Sequence, residues 1–165
     1  MGDSKEAEYG FKKAISIDKN FVPSLNNLGV LYHEQGRLDD AKDLYEKVIK
    51  VDSEHSKSWL NIGQIYFEKK SFKEATSCFE QVFKINPRSS KAYFYLGKVH
   101  SLSNNNELAI KLFKTSINED SKNINAILSL AEIYYRMALE VDPNNLEGLN
   151  GRLFVLDKKE QTEQI

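Results

Sequence analysis

The sequence predicts an all-α fold, a solenoid of stacked helix–turn–helix units, and two observations support this prediction. Small residues recur at one fixed spacing, at Gly29, Gly63 and Gly97, with Ala131 in the next place. A second set of residues has the same spacing, namely Ala41, Ala75 and Ala109 together with the aromatics Tyr45, Phe79 and Phe113. We call this spacing the repeat step. A period of about this length is typical of a solenoid, in which each unit contacts its neighbours.

The repeat step divides most of the chain into three full units, residues 22–55, 56–89 and 90–123. Each unit has two apolar stretches at helical spacing, separated by a turn near Gly36 in the first unit and at residues 104–106 in the third. Ser71 and Glu74 have the spacing of a capping box that opens the second helix of the second unit, and Pro87 ends that helix. A glycine inside a helix costs about 1 kcal/mol relative to alanine, so the repeated small residues predict close helix crossings.

Residues 1–21 correspond to the second half of a unit whose first half is missing. Ala7, Phe11 and Ala14 lie one repeat step before Ala41, Tyr45 and Val48, on one predicted helical face. In a complete array the missing helix would cover that face. If the face stays uncovered, it offers an apolar edge through which two copies of the chain could self-associate.

The fourth unit, residues 124–145, is shortened or gapped. Tyr135, Ala138 and Pro143 match the end of a second helix, but for the period of this repeat they arrive early by about 12 residues. Two explanations stay open: a deletion that fuses the remnants into one helix over about residues 124–141, or a stretch missing between Tyr134 and Tyr135, which we favour slightly. Residues 146–160 then predict an amphipathic helix that caps a single domain of residues 1–165.

Composition and charge exclude several classes of protein. The chain has 165 residues, 41% of them hydrophobic and 28% charged, which is typical of a folded globular chain. No apolar run approaches the roughly 18 residues of a membrane span, and the N-terminus has no pattern of a secretory signal. A net charge of −1 argues against nucleic acid as a partner. The single cysteine, Cys78, fits a reducing compartment, so we expect a cytoplasmic or nuclear protein.

No pattern of catalytic, metal-binding or cofactor-binding residues is evident. His33, His55 and His100 are far apart in sequence and have no partner at the spacing that metal ligation needs. Cys78 lies next to a predicted core position, where a buried, unreactive thiol is the ordinary outcome. The sequence therefore predicts a protein that is not an enzyme, with no catalytic residues, no metal and no cofactor.

The order of residues in the second unit resembles the tetratricopeptide repeat, a helix–turn–helix motif with a period of about 34 residues. Trp59, Gly63, Tyr66, Ala75 and Pro87 carry this resemblance. It implies a right-handed α-solenoid in which the first helix of every unit lines a concave groove. It also implies a protein–protein interaction module that binds an extended or helical segment of a partner.

The resemblance also implies which side chains face the groove. They are amides, lysines and aromatics, and the candidates for partner binding are Asn27, Lys57, Asn61, Gln64, Phe67, Lys91, Phe94, Tyr95 and Lys98. Amides can pair with the backbone of any extended peptide, because each offers both a donor and an acceptor. The aromatics would form apolar pockets, and the lysines would favour an acidic segment.

Two subfamilies can be compared with these residues. Co-chaperones that bind the C-terminal carboxylate of heat-shock chaperones use a clamp that Asn61 and Lys91 match. Asn26, Val30 and Tyr95 do not match it, which disfavours that function. Similarity to the asparagine ladder of O-linked N-acetylglucosamine transferase repeats is weak, since it rests on Asn27 and Asn61 alone. Two alternatives stay open: a scaffold segment of a multi-subunit assembly, and substrate-recognition repeats cut from a larger enzyme.

Overall fold

A computed structural model of the chain describes residues 2–145 and 147–151, and all regular structure within these residues is helical. The helices are α1 (Gly2–Ile17), α2 (Val22–Glu34), α3 (Leu38–Val51), α4 (Ser56–Glu68), α5 (Phe72–Ile85), α6 (Ser90–Leu102), α7 (Asn106–Glu119) and α8 (Ile124–Val141). Residues 147–151 are also helical. The predicted all-α class and the helix pair of each full unit are confirmed. The helices form two compact parts of the chain: an N-terminal part that ends at Pro87 and a C-terminal part that begins at Arg88.

In the N-terminal part, α2 pairs with α3 and α4 pairs with α5, while α3 also packs against α4. The pairs are held by apolar side chains that face inward at helical spacing, and the fully buried ones include Leu25, Tyr45, Val48 and Ile65. Helix α1 packs against α2, and Phe11 and Ile15 lie half-buried against this core. Self-association through α1 stays a prediction.

The repeated glycines mark the places where an aromatic ring lies against the first helix of a pair. A Cβ atom added at Gly29 would lie 2.7 Å from Cε1 of Tyr45, and one added at Gly63 would lie 2.5 Å from Cε1 of Phe79. In the C-terminal part the same relation joins Gly97 and Phe113: a Cβ atom added at Gly97 would lie 2.6 Å from Cε1 of Phe113. The repeat step therefore records a packing requirement, because a side chain at the glycine would displace the ring that the second helix of the same pair supplies.

The turns between paired helices share one backbone feature. The residue at the turn has a positive φ angle in each full repeat: 73° at Gly36, 60° at Lys70 and 57° at Asn104. These positions are themselves one repeat step apart. The left-handed conformation is easy for glycine and tolerated by asparagine, but it is strained for lysine.

In the C-terminal part, α6, α7 and α8 pack around Phe94, Ala109, Phe113, Ala126 and Ile133. A buried polar cluster joins the three helices. The Asn123 side-chain nitrogen donates to Oγ of Ser90 at 3.1 Å and to Oγ of Ser116 at 3.0 Å, and the hydroxyl of Ser116 donates to the Ser90 carbonyl at 2.9 Å. Asn123 also caps α8 by accepting from the backbone N–H of Ala126.

Two expectations about local structure have clear outcomes. Ser71 is the N-cap of α5, but its side chain makes no capping hydrogen bond, so the predicted capping box is wrong. In the fourth unit, Ile124–Val141 is one continuous helix, which is the form that a fused remnant would take. Whether a stretch is missing at this point stays a prediction. The predicted capping helix is helical at residues 147–151, and residues 152–160 lie outside the described part of the chain.

Candidate interaction site

A polar pocket of about 390 Å³ lies between α2 and α4 in the N-terminal part. Helix α2 contributes residues at positions i, i+3 and i+4, and α4 contributes residues at i, i+3 and i+7, so each helix presents a single face. One residue of α3 reaches the pocket between them. The lining residues are Val30, His33, Glu34, Tyr45, Asn61, Gln64 and Glu68. We call this the α2–α4 pocket.

Tyr45 is the residue of α3 that reaches the pocket. Its ring passes against Gly29, where the absence of a side chain on α2 gives it room. The residue is 0% exposed, and its hydroxyl makes no hydrogen bond of normal geometry among the described residues, although the Asn61 side chain lies close enough to act on it. Burial raises the pKa of the Tyr45 phenol far above its ordinary value, while the nearby Asn61 amide acts in the opposite direction. The hydroxyl is therefore neutral at physiological pH, and it is both a donor and an acceptor.

The charged groups of the pocket are mainly acidic. Nε2 of His33 lies 2.9 Å from Oε1 of Glu68, so these two side chains are paired. Glu34 is exposed and makes no ion pair among the described residues. The carboxylates of Glu34 and Glu68 are one repeat step apart, so they occupy the same place in successive repeats.

Of the binding residues predicted in the N-terminal part, Asn61 and Gln64 line the α2–α4 pocket. Asn27 is exposed on α2, where its side-chain oxygen accepts from the Asn26 amide at 3.3 Å. Lys57 lies in the first turn of α4. The ring of Phe67 lies 5.6 Å from the ring of Phe72, at the turn between α4 and α5. Asn27, Lys57 and Phe67 do not line this pocket, and their role in binding stays a prediction.

The other predicted binding residues lie on α6 in the C-terminal part. Lys91 is exposed, whereas Phe94 is 9% exposed and belongs to the core, with its ring 6.0 Å from that of Phe113. Tyr95 meets the Phe94 ring edge-on at 5.1 Å, and Nζ of Lys98 lies 5.6 Å above it. Phe94 is therefore largely buried, in contact with Tyr95 and Lys98 on its own helix, and the role of these residues in binding stays a prediction.

Five residues of the pocket were not among the predicted candidates for binding: Val30, His33, Glu34, Tyr45 and Glu68. The polar signals among them are carried by Glu34, Tyr45 and Glu68. Two signals in the sequence could have found them. Glu34 and Glu68 share the repeat step, and Tyr45 carries a hydroxyl where the next two repeats have Phe79 and Phe113. A polar atom at a core position of one repeat alone is a feature that packing does not explain.

A second pocket, of about 410 Å³, lies between α3 and α5 and is mostly apolar. It uses Trp59, Ile62 and Tyr66 of α4, two positions away from the residues of α4 that face the α2–α4 pocket. Two positions in a helix differ by about 200°, so the two pockets lie on nearly opposite faces of α4. Cys78 lines the second pocket, and burial raises the pKa of its thiol to about 11, which makes it a poor nucleophile at neutral pH.

The described residues contain neither a metal-binding cluster nor a helix that could span a membrane. No cluster of three or more His, Cys, Asp or Glu side chains there could hold a metal ion. Within the same residues, every helix falls short of the length and apolar character that a membrane span needs.

Comparison with known proteins identifies the repeat. Residues 22–55 and 56–89 each match the model of the tetratricopeptide repeat family. Residues 22–89 therefore consist of two tetratricopeptide repeats. A 45-residue stretch is 42% identical to tetratricopeptide repeat protein 8 of Caenorhabditis elegans, which covers 27% of this chain and 9% of that relative. The chain thus spans a small part of the curated relative that it matches.

Solved structures of tetratricopeptide repeat proteins share the fold. The crystal structure of MamA superposes with a TM-score of 0.72 and 23% identity, covering 99% of this chain and 93% of that one. The first tetratricopeptide repeat domain of Spaghetti (RPAP3), bound to the HSP90 peptide SRMEEVD, superposes with a TM-score of 0.65 and 26% identity, covering 71% of this chain and 93% of that one. The chain therefore has a tetratricopeptide repeat solenoid fold, which is consistent with a protein–protein interaction module.

Proposed function

We propose that this chain is a protein-interaction module that binds an extended segment of a partner protein in the α2–α4 pocket. The observation that carries this proposal is the hydroxyl of Tyr45, which is buried and makes no hydrogen bond of normal geometry among the described residues. A buried polar group that lacks a hydrogen bond costs about 1–3 kcal/mol. A ligand that supplies the bond would recover part of that cost on binding.

The amides of the pocket suit an extended backbone. Asn61 and Gln64 lie one turn apart on α4, and each can donate to a peptide carbonyl and accept from a peptide N–H. Such pairing does not depend on the partner's side chains, so it would hold the backbone in place while other groups select the sequence.

Comparison with a peptide-bound relative supports the class of ligand but argues for a different peptide. The Spaghetti (RPAP3) domain carries an acidic HSP90 peptide. In this chain Val30 and Tyr95 replace the asparagine and the basic residue that a carboxylate clamp requires, and the α2–α4 pocket contains the carboxylates of Glu34 and Glu68. Like charges repel across an interface, so an acidic tail is disfavoured at this pocket.

The proposal can be tested with peptides selected from a random peptide library against the full chain. The affinity of the selected peptides would be compared for the wild type, for Asn61→Ala with Gln64→Ala, and for a control with Gln81→Ala and Asn118→Ala on the second helices. We expect the first double variant to lose about tenfold or more in affinity, the loss of one to two peptide hydrogen bonds. The control should bind like the wild type.

Two results would contradict the proposal. The first is equal affinity of both double variants, which would move the peptide site away from the α2–α4 pocket. The second is a failure to select any peptide, which would favour the alternative of a scaffold segment that packs through larger surfaces.

A further inference from the structure

The α2–α4 pocket is rich in hydrogen-bond acceptors and negative charge. Its acceptors come from five side chains: Glu34, Tyr45, Asn61, Gln64 and Glu68. Among the lining residues His33 alone can carry a positive charge, and it is paired with Glu68. Tyr45, Asn61 and Gln64 can also donate, whereas the carboxylates of Glu34 and Glu68 only accept, so the charge of the pocket favours a ligand that brings donors and positive charge.

We propose that the α2–α4 pocket binds a cationic side chain, arginine or lysine, of the partner segment. This inference rests on the proposed function and specifies the chemistry of the ligand at the same site. A guanidinium group carries five N–H donors and no acceptor, and an ammonium group carries three. Either one can bond to several oxygens of the pocket at once.

The carboxylate of Glu34 determines the sign of the ligand's charge. It is exposed beside the pocket and has no ion pair among the described residues, whereas Glu68 is already bonded to His33. An anionic side chain in the pocket would meet two carboxylates and lose affinity through like-charge repulsion. A cationic side chain would gain an ion pair with Glu34.

The hydroxyl of Tyr45 determines where the cation would be held. It is 0% exposed on a ring fixed between α3 and Gly29, so its position is set by the core and not by a flexible surface chain. This oxygen is closed to solvent, so an N–H donor in the pocket would bond to it only with a small shift of the side chains around it. The equivalent ring in the next repeat is Phe79, which shows that the fold accepts the ring without the oxygen.

The test uses small probes, so that it does not depend on knowing the partner. N-acetyl-arginine amide, N-acetyl-glutamine amide and N-acetyl-glutamate amide would each be titrated into the ¹⁵N-labelled full chain. The side-chain amide signals of Asn61 and Gln64 would report on binding. We expect the arginine probe to shift both signals saturably, with an affinity about threefold or more above that of the glutamine probe, as one exposed ion pair allows. The glutamate probe should bind weakest.

Variants locate the effect. Glu34→Gln should lower the affinity for the arginine probe about threefold and remove its advantage over glutamine. Tyr45→Phe should lower the affinity by a similar factor, about threefold, for the loss of one neutral hydrogen bond. Glu74→Gln and Tyr66→Phe, which change the same residue types at the α3–α5 pocket, should bind the probe like the wild type.

A melting curve of Tyr45→Phe separates binding from folding. Because the hydroxyl makes no hydrogen bond of normal geometry among the described residues, its removal should leave the melting temperature unchanged or raise it. Weaker arginine binding by a variant that is no less stable would support the inference. Equal affinities for the three probes, or a preference for the glutamate probe, would overturn it. If library peptides still bind through Asn61 and Gln64 in that case, the proposed function stands without the cation.

Discussion

The contact between Gly63 and Phe79 gives the sharpest stability prediction. A methyl group added by Gly63→Ala would lie 2.5 Å from Cε1, 2.9 Å from Cδ1 and 3.0 Å from Cζ of the Phe79 ring. Ordinary contacts of a Cβ atom begin near 3.4 Å, so the ring would have to move by most of an ångström. Phe79 is 0% exposed in a close-packed core, and it has no free space to move into.

The magnitude follows from two opposing effects. Over-packing of a core by an extra methyl group costs about 1–3 kcal/mol. Replacing glycine by alanine inside a helix gains about 1 kcal/mol. Gly10 provides the matched control, because it lies in α1 with nothing within 4 Å of an added Cβ, and Gly10→Ala should show the gain alone. The two variants should therefore differ in free energy of unfolding by about 1–3 kcal/mol, the size of the over-packing cost.

Urea denaturation followed by far-ultraviolet circular dichroism would measure this difference. For a chain of this size, 1 kcal/mol corresponds to about 2–4 °C in melting temperature, so a thermal scan gives a second estimate. Phe79→Leu should relieve the clash, and in that background the effect of Gly63→Ala should move towards the effect of Gly10→Ala. If Gly63→Ala is as stable as Gly10→Ala in the wild-type background, the packing explanation of the repeat step is wrong.

The remaining predictions concern a turn and an ion pair. Lys70→Gly should raise the free energy of unfolding by up to about 1 kcal/mol, because it removes the backbone strain of a left-handed lysine, although glycine gives the unfolded chain more entropy. A melting scan should show a smaller gain for Asn104→Gly, and the reverse order would contradict the argument. The ammonium of Lys69 lowers the pKa of the Asp39 carboxyl below its ordinary value of 3.8, so its contribution to stability is present above that value and is lost as the pH falls through the lower folded pKa. The difference in melting temperature between wild type and Asp39→Asn should therefore shrink between about pH 6 and about pH 2.5, and a constant difference would show that the pair does not stabilise the fold.

The fold was predictable from the sequence because its period records a direct contact. Gly63 and Phe79 must remain paired for the two helices to cross, so the pattern locates both helices and their register. The turns follow from the same step, since Gly36, Lys70 and Asn104 share one backbone conformation. The bond expected from Ser71 does not form, because spacing alone does not fix the orientation of a short side chain.

The candidate site was predicted only in part. Asn61 and Gln64 were found because groove positions follow from the helical face. Tyr45 was classed as a core aromatic, and that classification says nothing about where its oxygen atom lies. Phe94 shows the converse: its position faces outward in the family pattern, but its ring fills space beside Phe113. Both depend on which neighbours surround a ring, and a helical pattern does not contain that information.

The cluster of Ser90, Ser116 and Asn123 affects how freely repeats could be exchanged within the array. The positions equivalent to Ser116 in the two preceding repeats hold Val48 and Val82, which need no polar partner. Ser90, Ser116 and Asn123 all lie within residues 90–123, so the third repeat carries the whole cluster with it, whereas valine placed at position 116 alone would remove one of the two acceptors of the Asn123 amide. Residues 116 and 123 can therefore be exchanged only together, while the first two repeats have no such polar coupling at the position of Ser116.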